Sequence, residues 1–169
     1  MGVVVVVGNP RAGSRTSGVA ARVAERAAAA AGLGEAPVDV IELADLAPEL
    51  FDWSSEAVSA AADRLRAARL AVIASPTFKG TYTGLLKAFL DRFARTDLNG
   101  VTVVPVLVGS GPAHALAVEV HLRPLLVEIG ASLPTRGLFV LDTELDQLDA
   151  TVDTWLSEAA TPLRRALAP

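Results

Sequence analysis

Apolar residues occur along the chain in five short runs, separated by longer stretches in which they recur at helical spacing. The first run has no polar residue among its valines, which is typical of a strand buried on both faces of a parallel sheet. Ser75-Pro76 is expected to end the third run. The segments predicted as strands are Val3–Val7, Val38–Leu43, Leu70–Ala74, Val101–Val108 and Gly137–Leu141.

Helices are predicted between these strands. The first follows a polar stretch, runs through an alanine-rich segment to Ala31 and stops at Gly32, since glycine commonly follows a helix end. Residues 46–54 are a predicted loop, and the last helix is expected to break near Pro162. The remaining predicted helices are Ala57–Ala68, Gly84–Arg95, Ala113–Gly130 and Leu145–Leu167.

The alternation of strands and helices favours an α/β fold, a doubly wound parallel sheet with right-handed crossovers. A chain of 169 residues is long enough for one such domain, so residues 1–169 are expected to form a single domain. Ligands bind these sheets at the carboxyl ends of the strands. Three loops therefore become candidates for a site: residues 8–17, 75–83 and 109–114.

The composition of the chain argues against several functional classes. A net charge of −4 argues against a nucleic-acid partner, because phosphate contacts need a basic surface. No apolar run reaches the length of a membrane span, so no membrane contact is expected and the cytoplasm is the expected location. The absence of cysteine excludes a thiolate nucleophile. His114 and His121 lack the spacing of a metal site, so no metal is expected.

The first candidate loop is rich in donors suited to a phosphate. The N-terminus of the following helix presents free backbone N–H groups and the positive end of the helix dipole. Arg11 and Arg15 would add charge-assisted hydrogen bonds. The alternative is that Ser14 or Thr16 merely caps the helix and that both arginines are solvated.

Two well-known phosphate loops do not match this segment. Gly8 and Gly13 have the glycine spacing of G-x-x-x-x-G-K-[ST], but Ser14 stands where the lysine belongs. The dinucleotide fingerprint G-x-G-x-x-G is also absent. A phosphate monoester such as FMN remains a suitable ligand.

The second and third loops could accommodate a planar ring. Pro76 and Gly80 shape a loop that is long for such a connection, and Phe78 and Tyr82 would supply aromatic surface. The alternative is that both aromatic side chains only plug the end of the sheet. The third loop, residues 109–114, reads Gly-Ser-Gly-Pro-Ala-His.

Together the three loops resemble the NADPH-dependent FMN reductase family. Arg11, Ser14 and Thr16 fall on the family's S-x-R-x-x-S-x-[ST] loop, with Asn9 in place of its first serine. Residues 75–87 are similar to its S-P-x-[YF]-x-x-x-x-[PS]-G-x-L-K segment. Residues 109–114 resemble its G-[GS]-x-x-x-H stretch.

The resemblance implies a flavodoxin-like sheet in the order 2-1-3-4-5, a homodimer or homotetramer, and the use of FMN with NADPH or NADH. It places the FMN phosphate on the first loop and the ring between the other two, with Arg15 reaching toward the NADPH phosphate. The cofactor-binding residues that it implies are Asn9, Arg11, Ser14, Arg15, Thr16, Pro76, Thr77, Phe78, Lys79, Gly80, Tyr82, Gly109, Ser110 and Gly111.

One helix departs from the resemblance. Residues 113–124 are similar to reductases that serve alkanesulfonate monooxygenases, some of which carry an inserted tyrosine that produces a π-bulge at the tetramer interface. Val120 stands at the aligned position and His121 follows it. This departure weakens the carry-over of the π-bulge mechanism, in which flavin is a loosely held substrate, and leaves open whether FMN is held tightly or exchanged.

The implied reaction is hydride transfer from reduced nicotinamide to flavin, with reduced FMN passing to a partner monooxygenase. The cofactors carry this chemistry, so no catalytic side chain is predicted. A reductase that retains FMN and reduces quinones, azo dyes or nitroaromatics is an alternative. A flavodoxin-type electron carrier is another, although its T-x-T-G-x-T loop is absent. A flavin-free interaction domain with the same fold is the third.

Overall fold

A five-stranded parallel sheet is the centre of the fold in the computed structural model, which describes residues 2–34 and 37–168. The strands lie in the order β2-β1-β3-β4-β5, which confirms the predicted fold class and strand order. Each apolar run becomes one strand, and the side chains of the three central strands are buried throughout, which is typical of a sheet covered on both faces. The strands are β1 (Val3–Val7), β2 (Val38–Glu42), β3 (Leu70–Pro76), β4 (Thr102–Gly109) and β5 (Leu138–Leu141).

Helices cover both faces of the sheet and enclose two apolar cores. One core joins the sheet to α1 and α6, through buried side chains such as Val19 and Leu163. The other joins it to the helices on the opposite face, through Leu65, Phe89 and Leu126. The α-helices are α1 (Arg15–Ala31), α2 (Leu43–Leu46), α3 (Glu56–Arg66), α4 (Gly84–Leu90), α5 (Arg123–Glu128) and α6 (Leu148–Ala166).

Over residues 2–34 and 37–168, no helix combines the length and the apolar character that a bilayer crossing requires.

Several element ends differ from the sequence prediction. Strand β3 continues through Ser75 and Pro76, which pair with Leu107 and Val108 of β4. Proline is tolerated there because β1 pairs with β3 only as far as Ala74, so no strand needs its missing N–H. Helix α2 begins at Leu43, which was predicted to be in a strand, and a 3₁₀ turn covers Ala47–Glu49 inside the predicted loop.

The helices predicted at residues 57–68 and 84–95 are shorter than expected, ending at Arg66 and Leu90. By contrast, the predicted break near Pro162 is wrong, because α6 runs through this proline. Proline leaves the carbonyl four residues earlier without an intrahelical donor. Glu158 provides that carbonyl from an exposed position, where water can donate to it.

The predicted helix Ala113–Gly130 forms as three pieces. A 3₁₀ turn covers Pro112–His114, a π-helical segment covers Val118–Leu122, and α5 follows. The segment is therefore π-helical although Val120 stands at the position aligned with the inserted tyrosine. Pro124 gives a physical reason, since its ring would clash with the carbonyl four residues earlier in a regular α-helix and a wider turn relieves this clash.

The π-helical segment is anchored to the loop before β5. The Glu119 carboxylate accepts a hydrogen bond from the backbone N–H of Gly137 and pairs with Arg123 at 2.7 Å. Arg123 in turn donates to the carbonyls of Leu133 and Thr135. Such charge-assisted bonds fix the segment against β5.

Helices α1 and α6 are also joined at their surface by ion pairs. Arg22 donates to both carboxylate oxygens of Asp149, at 2.6 and 3.0 Å, and Arg26 pairs with Asp153. The Arg22–Asp149 hydrogen bonds lower the pKa of Asp149. Exposed pairs contribute little stability individually. The buried contacts between the same two helices therefore hold α1 in place.

A testable consequence concerns Gly130, which follows α5 with φ of +92°. A Cβ there would lie 3.0 Å from the Arg95 carbonyl oxygen and 3.2 Å from the Cα of Thr96, both of which are backbone atoms. We expect Gly130→Ala to lower the free energy of unfolding by at least about 2 kcal/mol, from the left-handed backbone and the clash together. Urea denaturation measures this loss.

Gly100 offers a matched control, since its φ is +84° and a Cβ there would meet nothing within 4 Å. Gly100→Ala should cost only about 1 kcal/mol, from the backbone conformation alone. Equal losses in the two variants would show that the close approach at Gly130 does not matter.

Candidate functional site

A cleft of about 690 Å³ opens at the carboxyl ends of β1, β3 and β4, beside the N-terminus of α1. Its volume lies in the range of small-molecule sites. The cleft brings together most of the residues predicted from the sequence. Those that line it are Asn9, Arg11, Ser14, Arg15, Thr16, Pro76, Thr77, Phe78, Gly109 and Ser110.

The loop between β1 and α1, residues 8–14, is shaped by Asn9. The Asn9 side-chain oxygen accepts a hydrogen bond from the Arg11 backbone N–H at 3.0 Å, which closes an Asx turn. Its amide nitrogen donates to the hydroxyl of Thr16 at 3.1 Å. Asparagine thus performs two structural tasks at the position where the related motif has serine.

The N-terminus of α1 presents backbone donors to the cleft. Ser14 is the N-cap, and its hydroxyl accepts the Ser17 N–H at 3.3 Å. The first N–H groups of a helix have no acceptor within the helix, which leaves those of Arg15 and Thr16 for a ligand. Ser14 therefore caps the helix, as the alternative interpretation expected, and also lines the cleft.

The charges around this loop have both signs. Arg11 is exposed, and Arg15 pairs with Asp142 at 3.4 Å although its side chain is 68% exposed. An exposed pair of this kind contributes a fraction of a kcal/mol, about 0–1, so Arg15 can exchange it for a ligand. The carboxylate of Glu42 lies on the other side of the loop and accepts hydrogen bonds from Ser17 and Gly13.

Sequence reasoning missed both acidic residues, together with Pro10, Gly13 and Val108 of the cleft lining. Glu42 is the last residue of β2, and Asp142 directly follows β5. In a parallel sheet these positions share one edge with the other loops. The strand ends were therefore the signal that could have identified them.

The second loop carries a tight two-residue turn. The backbones of Phe78 and Thr81 exchange hydrogen bonds at 2.9 and 3.3 Å. Lys79 and Gly80 between them have φ of +53° and +84°, as in a type I′ turn. These two residues form the tip and are not among those that line the cleft. Phe78, which is 52% exposed, lies in the cleft lining and supplies its aromatic surface.

Tyr82 and Gly111 are also not among the residues that line the cleft. Tyr82 is half-buried and packs against the apolar core on the α4 side of the sheet, as the plugging interpretation expected. Lys87, which follows in α4, pairs with Asp91 on the helix surface. The hydrogen bond from Lys87 to Asp91 raises the pKa of Lys87.

A buried hydroxyl, that of Thr83, ties the first and second loops together. Its oxygen donates to the Gly8 carbonyl at 2.5 Å and accepts the Leu86 N–H at 3.1 Å, as the N-cap of α4. The Thr83 N–H donates to the Ser75 hydroxyl at 3.0 Å. Gly8 must be glycine for this approach, since a Cβ would lie 2.6 Å from that of Leu86.

The third loop brings its backbone close to the second. A Cβ on Gly109 would lie 2.8 Å from the ring of Phe139 and 3.1 Å from the hydroxyl of Thr77. That hydroxyl is buried and, within the described residues, has no hydrogen-bond partner. Only glycine fits at position 109, because Phe139 and Thr77 fill the space that a side chain would need.

A second cavity of about 210 Å³ lies near the start of β5, where Pro134, Thr135 and Arg136 face Trp155 and Pro162 of α6. It is remote from the candidate loops and smaller than the cleft. Over residues 2–34 and 37–168, no group of three or more histidine or acidic side chains is placed to hold a metal ion. The cleft is therefore the candidate site.

Known proteins are similar to this chain in sequence. A family model described as NADPH-dependent FMN reductase matches residues 1–146. The FMN reductase (NADPH) of Escherichia coli K12 is 31% identical over 150 residues, covering 86% of this chain and 75% of that protein. The NADH-dependent FMN reductase SfnF of Pseudomonas putida is 34% identical over 151 residues, covering 86% and 80%.

A solved structure is also similar to the structure of this chain. The X-ray structure of an oxidoreductase from Corynebacterium diphtheriae is similar with a TM-score of 0.82 and 27% identity, covering 99% of this chain and 97% of that one. The likeness therefore extends beyond residue 146 and includes α6.

The buried hydroxyl of Thr83 generates a prediction. Thr83→Val keeps the shape of the side chain but leaves the Gly8 carbonyl and the Leu86 N–H without their partner. We expect the free energy of unfolding to fall by about 2–4 kcal/mol, measured by urea denaturation. Thr83→Ser retains the hydroxyl and should lose much less. A small loss in Thr83→Val beside a large loss in Thr83→Ser would mean that the methyl group, not the hydroxyl, matters.

Proposed function

Because the chain belongs to the NADPH-dependent FMN reductase family, we propose that it is a NAD(P)H-dependent FMN reductase whose single FMN-binding domain spans residues 1–169. The observation that supports the site best is the cleft, in which the donors of the first loop meet residues at the ends of β3 and β4. The family uses a reduced nicotinamide as the hydride source, and the relatives include enzymes named for NADPH and for NADH.

The first loop has the donors that the phosphate of FMN needs. Asn9, Ser14 and Thr16 present polar side chains, and the N-terminus of α1 presents backbone N–H groups. Arg11 lies beside them as an exposed cation. Phosphate accepts charge-assisted bonds from arginine and from helix N-termini. We assign the FMN phosphate to these groups and the nicotinamide phosphate to Arg15.

The second and third loops have the shape that the flavin ring needs. Pro76, Thr77 and Phe78 line the cleft together with Gly109 and Ser110. The hydroxyl of Thr77, which has no hydrogen-bond partner within the described residues, would bond a polar edge of the ring. Lys79, Gly80, Tyr82 and Gly111 would act indirectly, since they shape the two loops without lining the cleft.

When bound, FMN supplies the hydride acceptor at its N5 atom for the C4 hydride of the nicotinamide. The chain binds and orients the two rings, and its loops exclude water from them. This reaction needs no side-chain nucleophile or general base. The reduced flavin would then pass to a flavin-dependent monooxygenase.

A homo-oligomer is part of the proposal. Leu116, Val120 and Val127 belong to the segment from the 3₁₀ turn to α5, and each exposes more than half of its surface. Exposed apolar side chains gathered on one segment are typical of a protein interface. We expect this segment to form the contact between two copies of the chain.

The proposed activity is tested by the oxidation of NADPH and NADH in air, followed by their near-ultraviolet absorbance, with and without added FMN. We expect a rate that appears only with FMN and saturates. A rate without added FMN that increases with a quinone would indicate a resident cofactor and a different acceptor. Binding of FMN without any oxidation of nicotinamide would contradict the reductase.

The oligomer is tested by light scattering of Val120→Glu. A charge at this exposed apolar position should convert the wild-type oligomer into monomers, because burying it would be costly. Val40→Glu makes the same change at another exposed valine, on β2, and should leave the mass unaltered. A monomeric wild-type protein, or an oligomeric Val120→Glu variant, would refute the interface.

A further inference from the structure

Glu42 places a carboxylate directly behind the proposed phosphate loop. One of its oxygens accepts a hydrogen bond from the Ser17 hydroxyl at 2.6 Å and from the Gly13 backbone N–H at 3.3 Å. Gly13 has φ of +61°, so the loop turns sharply where it meets this carboxylate. The Gly13 N–H therefore points to a side chain of the protein and away from any anion in the cleft.

The charge of this carboxylate is not compensated. The second oxygen, Oε2, is buried and has no hydrogen-bond partner among the described residues. Over residues 2–34 and 37–168, no ion pair includes Glu42. An unpaired buried polar atom is costly, and more so when it is charged.

The two hydrogen bonds do not explain why the residue is charged. A glutamine at this position would accept the same bonds from Ser17 and Gly13 through its side-chain oxygen. What the carboxylate adds is a negative charge. It contacts the backbone N–H of Gly13, the residue before Ser14, which is the N-cap of α1. Like charges repel over such distances when they are poorly solvated.

We propose that Glu42 is a positioning residue that weakens the hold of the cleft on the phosphate of FMN, so that flavin is exchanged between turnovers. The inference rests on the proposed function, because it assumes that the phosphate binds at the first loop. Arg11 attracts the phosphate from one side of the loop, and Glu42 repels it from the other. The balance between this attraction and this repulsion sets the residence time of FMN in the cleft.

The test compares the binding of FMN and riboflavin to the wild type and to Glu42→Gln, measured by flavin fluorescence. Riboflavin has the same ring but no phosphate. We expect Glu42→Gln to bind FMN about 3- to 10-fold more tightly and riboflavin unchanged, because only the phosphate senses the removed charge. Added salt should reduce the difference by screening.

Glu158→Gln is the matched control. It makes the same change in net charge at an exposed position of α6, and it should bind FMN as the wild type does. Thermal melts of all three proteins verify that they are equally folded. A structural role alone would alter both flavins together, so the selective effect on FMN separates the two roles.

Three outcomes would overturn the inference: unchanged FMN binding in Glu42→Gln, weaker FMN binding, or an equal change for FMN and riboflavin. These outcomes leave the proposed function intact if nicotinamide is still oxidised with FMN. Conversely, a wild-type protein that binds FMN without oxidising nicotinamide would contradict the proposed function alone, and the comparison of the two flavins would still decide the role of Glu42.

Discussion

The contact between the Thr83 hydroxyl and the Gly8 carbonyl is the constraint on which the geometry of the cleft depends. It joins the end of β1 to the start of α4 across the switch point of the sheet, where strand order reverses between β1 and β3. Both partners are buried, so the bond is not exchanged with water. The first and second loops are held together because this one hydroxyl, in the second, bonds to Gly8 in the first.

Much of the fold could be predicted because four of the strands are short apolar runs and β2 alternates polar and apolar residues, with helical spacing between them. The ends of the strands and helices could not be predicted in this way. Pro76 extends β3 because its neighbouring strand has already ended, a fact of pairing that no local pattern contains. The π-helical segment likewise depends on Pro124 and on where the Glu119 side chain finds partners.

In the candidate site, too, some residues could be predicted from local patterns and others depend on the fold. Motif residues such as Asn9, Arg11 and Gly109 meet in the cleft because their loops follow adjacent strands. Tyr82 was predicted from its aromatic side chain and from the resemblance of its loop, and neither determines which side of a loop a side chain occupies. Glu42 belongs to no motif. Only the strand order and the position of β2 beside β1 bring its carboxylate to the loop.

Helix α6 lies outside the residues that the family model matches, and it covers the face of the sheet on which α1 also packs. Val152 and Leu163 of α6 are fully buried in the same core as Val19 and Val23 of α1. During synthesis, this core stays incomplete until α6 has left the ribosome, since α6 follows the other elements of the core in the chain. The N-terminus of α1, which borders the cleft, therefore reaches its final packing only after α6 has been made.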